Sequence, residues 1–171
     1  MARPTLIVYC GLPGVGKSTA AAYTAKQCAA NRYRTDEVRK ELFDEPQYTD
    51  AEDDRTYEEL LDRARSVLLD DEDVVLDATF GCRRHRNLAC RVAADAEADS
   101  RFVHVTCDQS VVERRIAERT DTVSDADVEI YRQLRAAFDP FEREHVEIDN
   151  SGSLEELRRE IDRRVLERIE A

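Results

Sequence analysis

LIVYCGLPGVGKSTAAAY, residues 6–23, is apolar and β-branched at its start, glycine-rich in its middle and alanine-rich at its end. With Thr5, the first part reads as a strand, Thr5–Cys10, with no polar alternation, as expected of a strand covered on both faces. The last part reads as a helix from about Lys17 to Cys28. Between them Gly11-Leu12-Pro13-Gly14-Val15-Gly16-Lys17-Ser18, followed by Thr19, satisfies G-x-x-x-x-G-K-[ST] at every position. The glycines let a loop wrap closely with its N–H groups pointing inward, and the following helix N-terminus adds positive potential. Lys17 then reaches the β- and γ-phosphates of a nucleoside triphosphate, and the Ser18 hydroxyl ligates Mg²⁺. A simple tight turn explains neither the lysine nor the serine. A dinucleotide fingerprint would need glycine where Thr19 stands. The chain holds only five glycines, and three fall here. The expectation is a site for ATP and Mg²⁺.

Composition bounds the rest. The 171 residues make one domain, 1–171, long enough for a covered sheet. No run of eighteen apolar residues occurs, so no membrane span is expected. The start, MARPTLIVYC, reads as a core strand rather than a signal peptide. The five cysteines form no CxxC pair. Cys10 and Cys107 lie in strand-like apolar runs and read as small core residues of a reducing cytoplasm, with no structural metal site. Net charge is −12, with three lysines against twenty-three arginines. Acid runs such as DAEDD and DDED are spread along the chain, a composition resembling that of proteins from salt-loving organisms. Such a surface disfavours binding a polyanion broadly, although a local arginine cluster can still hold one.

Strand-like and helical stretches alternate along the chain. After the first helix come a brief NRYRT, a helical DEVRKELF and a loop, DEPQYTDAEDD. Tyr57, Leu60, Leu61, Ala64 and Leu68 recur at helical spacing. VVLDAT is a second buried strand, and Leu88 to Ala96 marks a helix. RFVHVTC is strand-like, and SVVERRIAER opens on Ser110, a candidate helix cap. SDADVEIYRQLRAAF is helical, HVEID is a strand, and Ser153 with Glu156 forms a capping box on a closing helix. No repeat or linker interrupts the pattern. Such alternation predicts one parallel sheet with helices on both faces.

Phosphoryl transfer needs more than a phosphate cradle. Asp36 falls where a short strand meets a helix, at the carboxyl edge where α/β sheets collect ligands. There it is either a base for an acceptor hydroxyl or a helix N-cap. Arg39, one turn on, is placed to grip an anionic part of that acceptor. Asp77 ends a buried strand, a position suited to holding Mg²⁺ or orienting the acceptor, with Thr79 just beyond. CRRHR, with Arg83, is a basic cluster suited to an anionic acceptor. Arg115 and Arg119, four apart on one helical face, begin a polar stretch that reads as a lid, about residues 119–127. Arg114 and Arg132 are weaker candidates. His85, His104 and His145 carry no catalytic signal.

In their order, GLPGVGKST, TDEVRKELF, VVLDAT, the V-x-x-x-R-x-x-x-R helix and HVEID resemble the small P-loop kinases of AAA_33 type. These are kin to the 5′-kinase domain of bacterial polynucleotide kinase-phosphatases and, more distantly, to zeta toxins and gluconate kinases. The resemblance spans nearly the whole chain. It implies a three-layer α/β fold with five parallel strands in order 2-3-1-4-5, Asp36 as general base and Arg39 as an acceptor contact. It also implies Asp77 beside metal and acceptor, Arg115 and Arg119 in the lid, and Asp149 and Asn150 bordering the adenine. The usual Ser before the Asp is Thr35 here, which keeps the hydroxyl. The leading expectation is an ATP·Mg²⁺-dependent kinase for a small metabolite, nucleoside or nucleotide. A polynucleotide 5′-hydroxyl kinase and a nucleotide-dependent switch without an acceptor are the alternatives.

Overall fold

The computed structural model describes residues 2–119 and 125–169. Five strands form one all-parallel sheet: β1 (Thr5–Cys10), β2 (Asn31–Arg34), β3 (Val74–Asp77), β4 (Asp99–Thr106) and β5 (Val146–Asp149). Their order is β2-β3-β1-β4-β5, as the resemblance implied. Helices α1 (Lys17–Cys28), α2 (Thr35–Leu42), α3 (Asp50–Leu69), α4 (Arg83–Asp95), α5 (Gln109–Arg119), α6 (Asp125–Ala137) and α7 (Leu154–Ile161) connect and cover the strands.

β1 explains the layering. All six of its residues are buried, and alternate side chains leave opposite faces. Leu6, Val8 and Cys10 join a core with Val38, Leu60, Ala64, Leu68 and Ala89, from α2, α3 and α4. Ile7 and Tyr9 join the second core with Ala20, Ala21, Leu157 and Ile161, from α1 and α7. A run without polar alternation is therefore what a central strand of a three-layer sandwich requires. Burial raises the pKa of the Cys10 thiol far above its ordinary value, in keeping with an inert core residue.

Three boundaries differ from the sequence expectation. The supposed loop DEPQYTDAEDD ends at Thr49, whose side chain accepts a hydrogen bond from the Glu52 backbone N–H and so caps α3. Asp50, Glu52 and Asp53 then fill the first turn, where negative charge meets the positive helix end. An acid run that looks like solvated loop is here a helix start. Ser110 is the second residue of α5 and so is not its cap. The closing helix opens on the expected Ser153–Glu156 capping box, then passes into a π-helical stretch, Asp162–Leu166.

Candidate active site

The glycine loop joins the carboxyl end of β1 to α1, and the protein holds it from three sides. The Gly11 N–H donates to the Thr79 carbonyl at 3.1 Å, so the segment after β3 anchors the loop's start. A Cβ on Gly11 would stand 2.7 Å from the Val105 carbonyl oxygen, closer than any side chain tolerates. Gly16, the N-cap of α1, has φ +86, and a Cβ there would collide with the Asn150 amide. That amide is buried and donates from Nδ2 to the Val15 carbonyl at 2.8 Å. Asn150 is thus a brace under the loop. Asp149, beside it, accepts from the Ser151 N–H and hydroxyl.

Below the loop, β2 and β3 bring charged side chains together. Arg34 and Asp77 are register partners, and Arg32 is two residues back on the same face of β2. Asp77 is buried, with 3% of its side chain exposed. Three cations surround it: Lys17 Nζ at 3.7 Å, Arg32 at 3.9 Å and Arg34 Nε at 3.3 Å. Arg34 also reaches the Ser18 hydroxyl at 3.4 Å and the Asp36 carboxylate at 3.9 Å. Arg32 reaches the Ser18 carbonyl, also at 3.4 Å. Lys17, Ser18, Asp36 and Asp77 therefore share a neighbourhood, with the Arg34 guanidinium at its centre. Arg32 and Arg34 are functional candidates that the sequence reading passed over. The one signal is their i, i+2 spacing, which puts them on a common face of a short strand without saying which face.

The donor set suits Mg²⁺. Asp77 Oδ2 is buried and accepts no hydrogen bond among the described residues. The Ser18 hydroxyl is joined to it through a single guanidinium. A carboxylate and a hydroxyl are hard oxygen donors of the kind Mg²⁺ takes beside phosphates.

Neither aspartate is an N-cap. The α2 cap position is Arg34 and that of α4 is Cys82. Asp36 sits in the first turn of α2 with 76% of its side chain exposed to solvent.

Other candidates lie elsewhere. Arg39 is buried, paired with Asp53 and, at 3.9 Å, with Glu52, and stacked over the Tyr48 ring. It ties α2 to the start of α3. Arg83 pairs with Glu142 at 2.6 Å, and its N–H donates to Asp139. Arg84 and His85 both bind Asp54, and these hydrogen bonds, His85 first, hold its carboxyl below the usual range. Arg86 is buried and donates to the carbonyls of Phe80, Asp139 and Pro140. The CRRHR cluster thus serves largely as internal stitching.

At the lid end, Arg115 donates to the Asn150 carbonyl at 2.8 Å and to Cys107 Sγ at 3.4 Å. Its guanidinium stands 3.8 Å from where a Gly16 Cβ would be, so α5 touches the phosphate loop. Cys107 is half-buried and packs against the second core, with its Sγ turned to this polar corner. The centre of the expected lid, 120–124, and the Arg119 side chain lie outside the described residues. Arg132 pairs with Glu113 at 3.7 Å, and Arg114 is exposed.

Comparison with known proteins agrees with this geometry. A 159-residue stretch is 35% identical to an uncharacterized protein of Mycobacterium tuberculosis (strain H37Rv), covering 85% of this chain and 31% of that protein. The chain thus spans under a third of the curated relatives it matches. A gluconokinase from Sinorhizobium meliloti 1021 superposes with TM-score 0.71 at 21% identity, over 94% of this chain and 90% of that one. The Mycobacterium tuberculosis APS kinase CysC, in complex with AMPPNP and APS, superposes with TM-score 0.70 at 21% identity, over 95% and 98%. At such identity these two establish the fold. No described helix is long and apolar enough to cross a membrane. Residues 6–141 match the AAA_33 profile, described as an AAA domain, and the chain belongs to this family of P-loop domains, with the fold of small kinases.

Proposed function

We propose that this chain is an ATP- and Mg²⁺-dependent kinase that transfers the γ-phosphoryl group to a hydroxyl of a small-molecule, nucleoside or nucleotide acceptor. The observation that carries the reading is Arg34, within 3.9 Å of Ser18, Asp77 and Asp36 at once. It links the phosphate loop to an exposed carboxylate.

Each residue has a role in this reading. The loop N–H groups and Lys17 bind the triphosphate, and Ser18 and Asp77 hold Mg²⁺. When bound, Mg²⁺ offsets charge on the transferring phosphate oxygens. Asp36 accepts the proton of the attacking hydroxyl as the oxygen–phosphorus bond forms. Arg32 and Arg34, both beside Asp77 and the second also beside Asp36, stabilise charge in transit and suit an acceptor that is itself anionic. Arg115 closes the other side of the loop. A nucleotide switch would instead need a residue to position water. Asp36, exposed and turned toward Arg34, suits an acceptor better. That both named structural neighbours are kinases supports the same choice.

Asp36→Asn tests the reading. The variant should keep its ATP-dependent thermal stabilisation while turnover falls by roughly 10²–10⁴-fold, the usual worth of a general base. Full turnover in that variant would leave Asp36 a mere helix-start residue.

A further inference from the structure

His104, His145 and Glu147 meet at the β4–β5 edge of the sheet, outside the machinery described above. His104 and Glu147 are register partners on the two strands, and His145 lies two residues before Glu147. One ligand atom from each falls within 4.8 Å of the other two. We propose that these three residues bind a divalent transition-metal ion, with Zn²⁺ the best match to two imidazoles and a carboxylate.

The chemistry of each donor fits. His145 Nδ1 lies 2.9 Å from the Arg143 carbonyl oxygen. A carbonyl only accepts, so Nδ1 carries the proton and Nε2 keeps its lone pair. An imidazole that donates one nitrogen to a backbone carbonyl and offers the other is the usual arrangement of a metal ligand. His104 is partly buried, with 20% of its side chain exposed, and faces Glu147 across the strand pair. Glu147 supplies the negative charge, its carboxylate 4.0 Å from His104 Nδ1.

The site is also built rigidly. His145 stacks on Phe141 at 4.2 Å, and His104 stacks on Phe138 at 5.2 Å and lies 4.8 Å from Phe141. Both phenyl rings rest against the buried Arg86 guanidinium, which fixes the surrounding loop through three carbonyls. Zinc bonds of about 2.0–2.2 Å place ligand atoms about 3–3.5 Å apart. Glu147, with 61% of its side chain exposed, is free to close the remaining distance. A bound ion would clamp the short edge strand β5 to β4 and to the loop carrying Phe138 and Phe141.

Titration of the untagged, metal-stripped full chain with Co²⁺ alone, followed by its visible absorption, and with Zn²⁺ by calorimetry tests the proposal. One equivalent should bind. Affinity should fall at least tenfold in His145→Ala and in Glu147→Gln, and should hold in Asp77→Asn, which alters the phosphate-loop site. Glu147→Gln changes an exposed residue, so it decides the matter if His145→Ala misfolds. Absence of saturable binding overturns the proposal. So does binding unchanged by Glu147→Gln, or binding lost with Asp77 instead. None of these results depends on whether the chain is a kinase.

Discussion

A Lys17→Ala variant should show no ATP-dependent rise in melting temperature, whereas the parent protein rises by about 5–11 °C. The figure follows from mass action. ATP at a hundred times its dissociation constant stabilises by about 2.7 kcal/mol. For a chain of this size each kcal/mol is worth about 2–4 °C. Lys17 is 12% exposed and stands 3.7 Å from Asp77, so its ammonium is already fixed at the mouth of the loop. Removing it takes away the single point charge placed to reach the outer phosphates. Asp77 keeps Arg32 and Arg34, so the free protein should lose little stability by comparison. Thermal shift with and without ATP·Mg²⁺ separates the two effects. An undiminished ATP shift would remove the phosphate loop from the account.

Asp77→Asn should have the second large effect, of a different shape. The carboxylate is the anion that Lys17, Arg32 and Arg34 share, and it is almost fully buried. Breaking a buried pair typically costs about 3–5 kcal/mol. The arginines here are about 30% exposed, which reduces that cost toward about 2 kcal/mol. The free protein should therefore melt about 4–8 °C lower. The same change takes the carboxylate from Lys17 and Arg32, while Arg34 keeps Asp36 and Glu37, so metal-free ATP should bind at least as well as before. The improvement that Mg²⁺ brings should disappear with its carboxylate ligand. Calorimetric titration of ATP with and without Mg²⁺ measures both parts. A variant that still gains affinity from Mg²⁺ would show that Asp77 does not hold the metal.

The fold was legible because its signals are local. Thr5–Cys10 and Lys17–Cys28 have the same limits in sequence and structure, since β-branched burial and a glycine loop before a helix are properties of neighbouring residues. The alternation of strands and helices gave a parallel sheet; the strand order came from the resemblance. The site was legible only in part. Asp77 and Lys17 could be placed from their positions at the end of a strand and of a loop. Arg39 could not, because its partners Asp53 and Glu52 belong to an acid run that reads as loop until Thr49 is seen to cap it. Arg83 and Arg86 were misleading for a similar reason. Their partners, Glu142 and the carbonyls of Asp139 and Pro140, lie more than fifty residues away. Arg32 and Arg34 went unnoticed because a four-residue strand offers too short a pattern to assign a face.

The central claim is that the phosphoryl group leaves ATP for a hydroxyl. The most direct test follows the label of γ-labelled ATP in concentrated potassium chloride, offering a metabolite panel and 5′-hydroxyl oligonucleotides in parallel. The label should appear as a phosphate ester on one acceptor class, and Asp36→Asn should nearly abolish its formation. Label recovered only as inorganic phosphate, at a rate indifferent to every acceptor, would mean that the chain hydrolyses its nucleotide and transfers nothing.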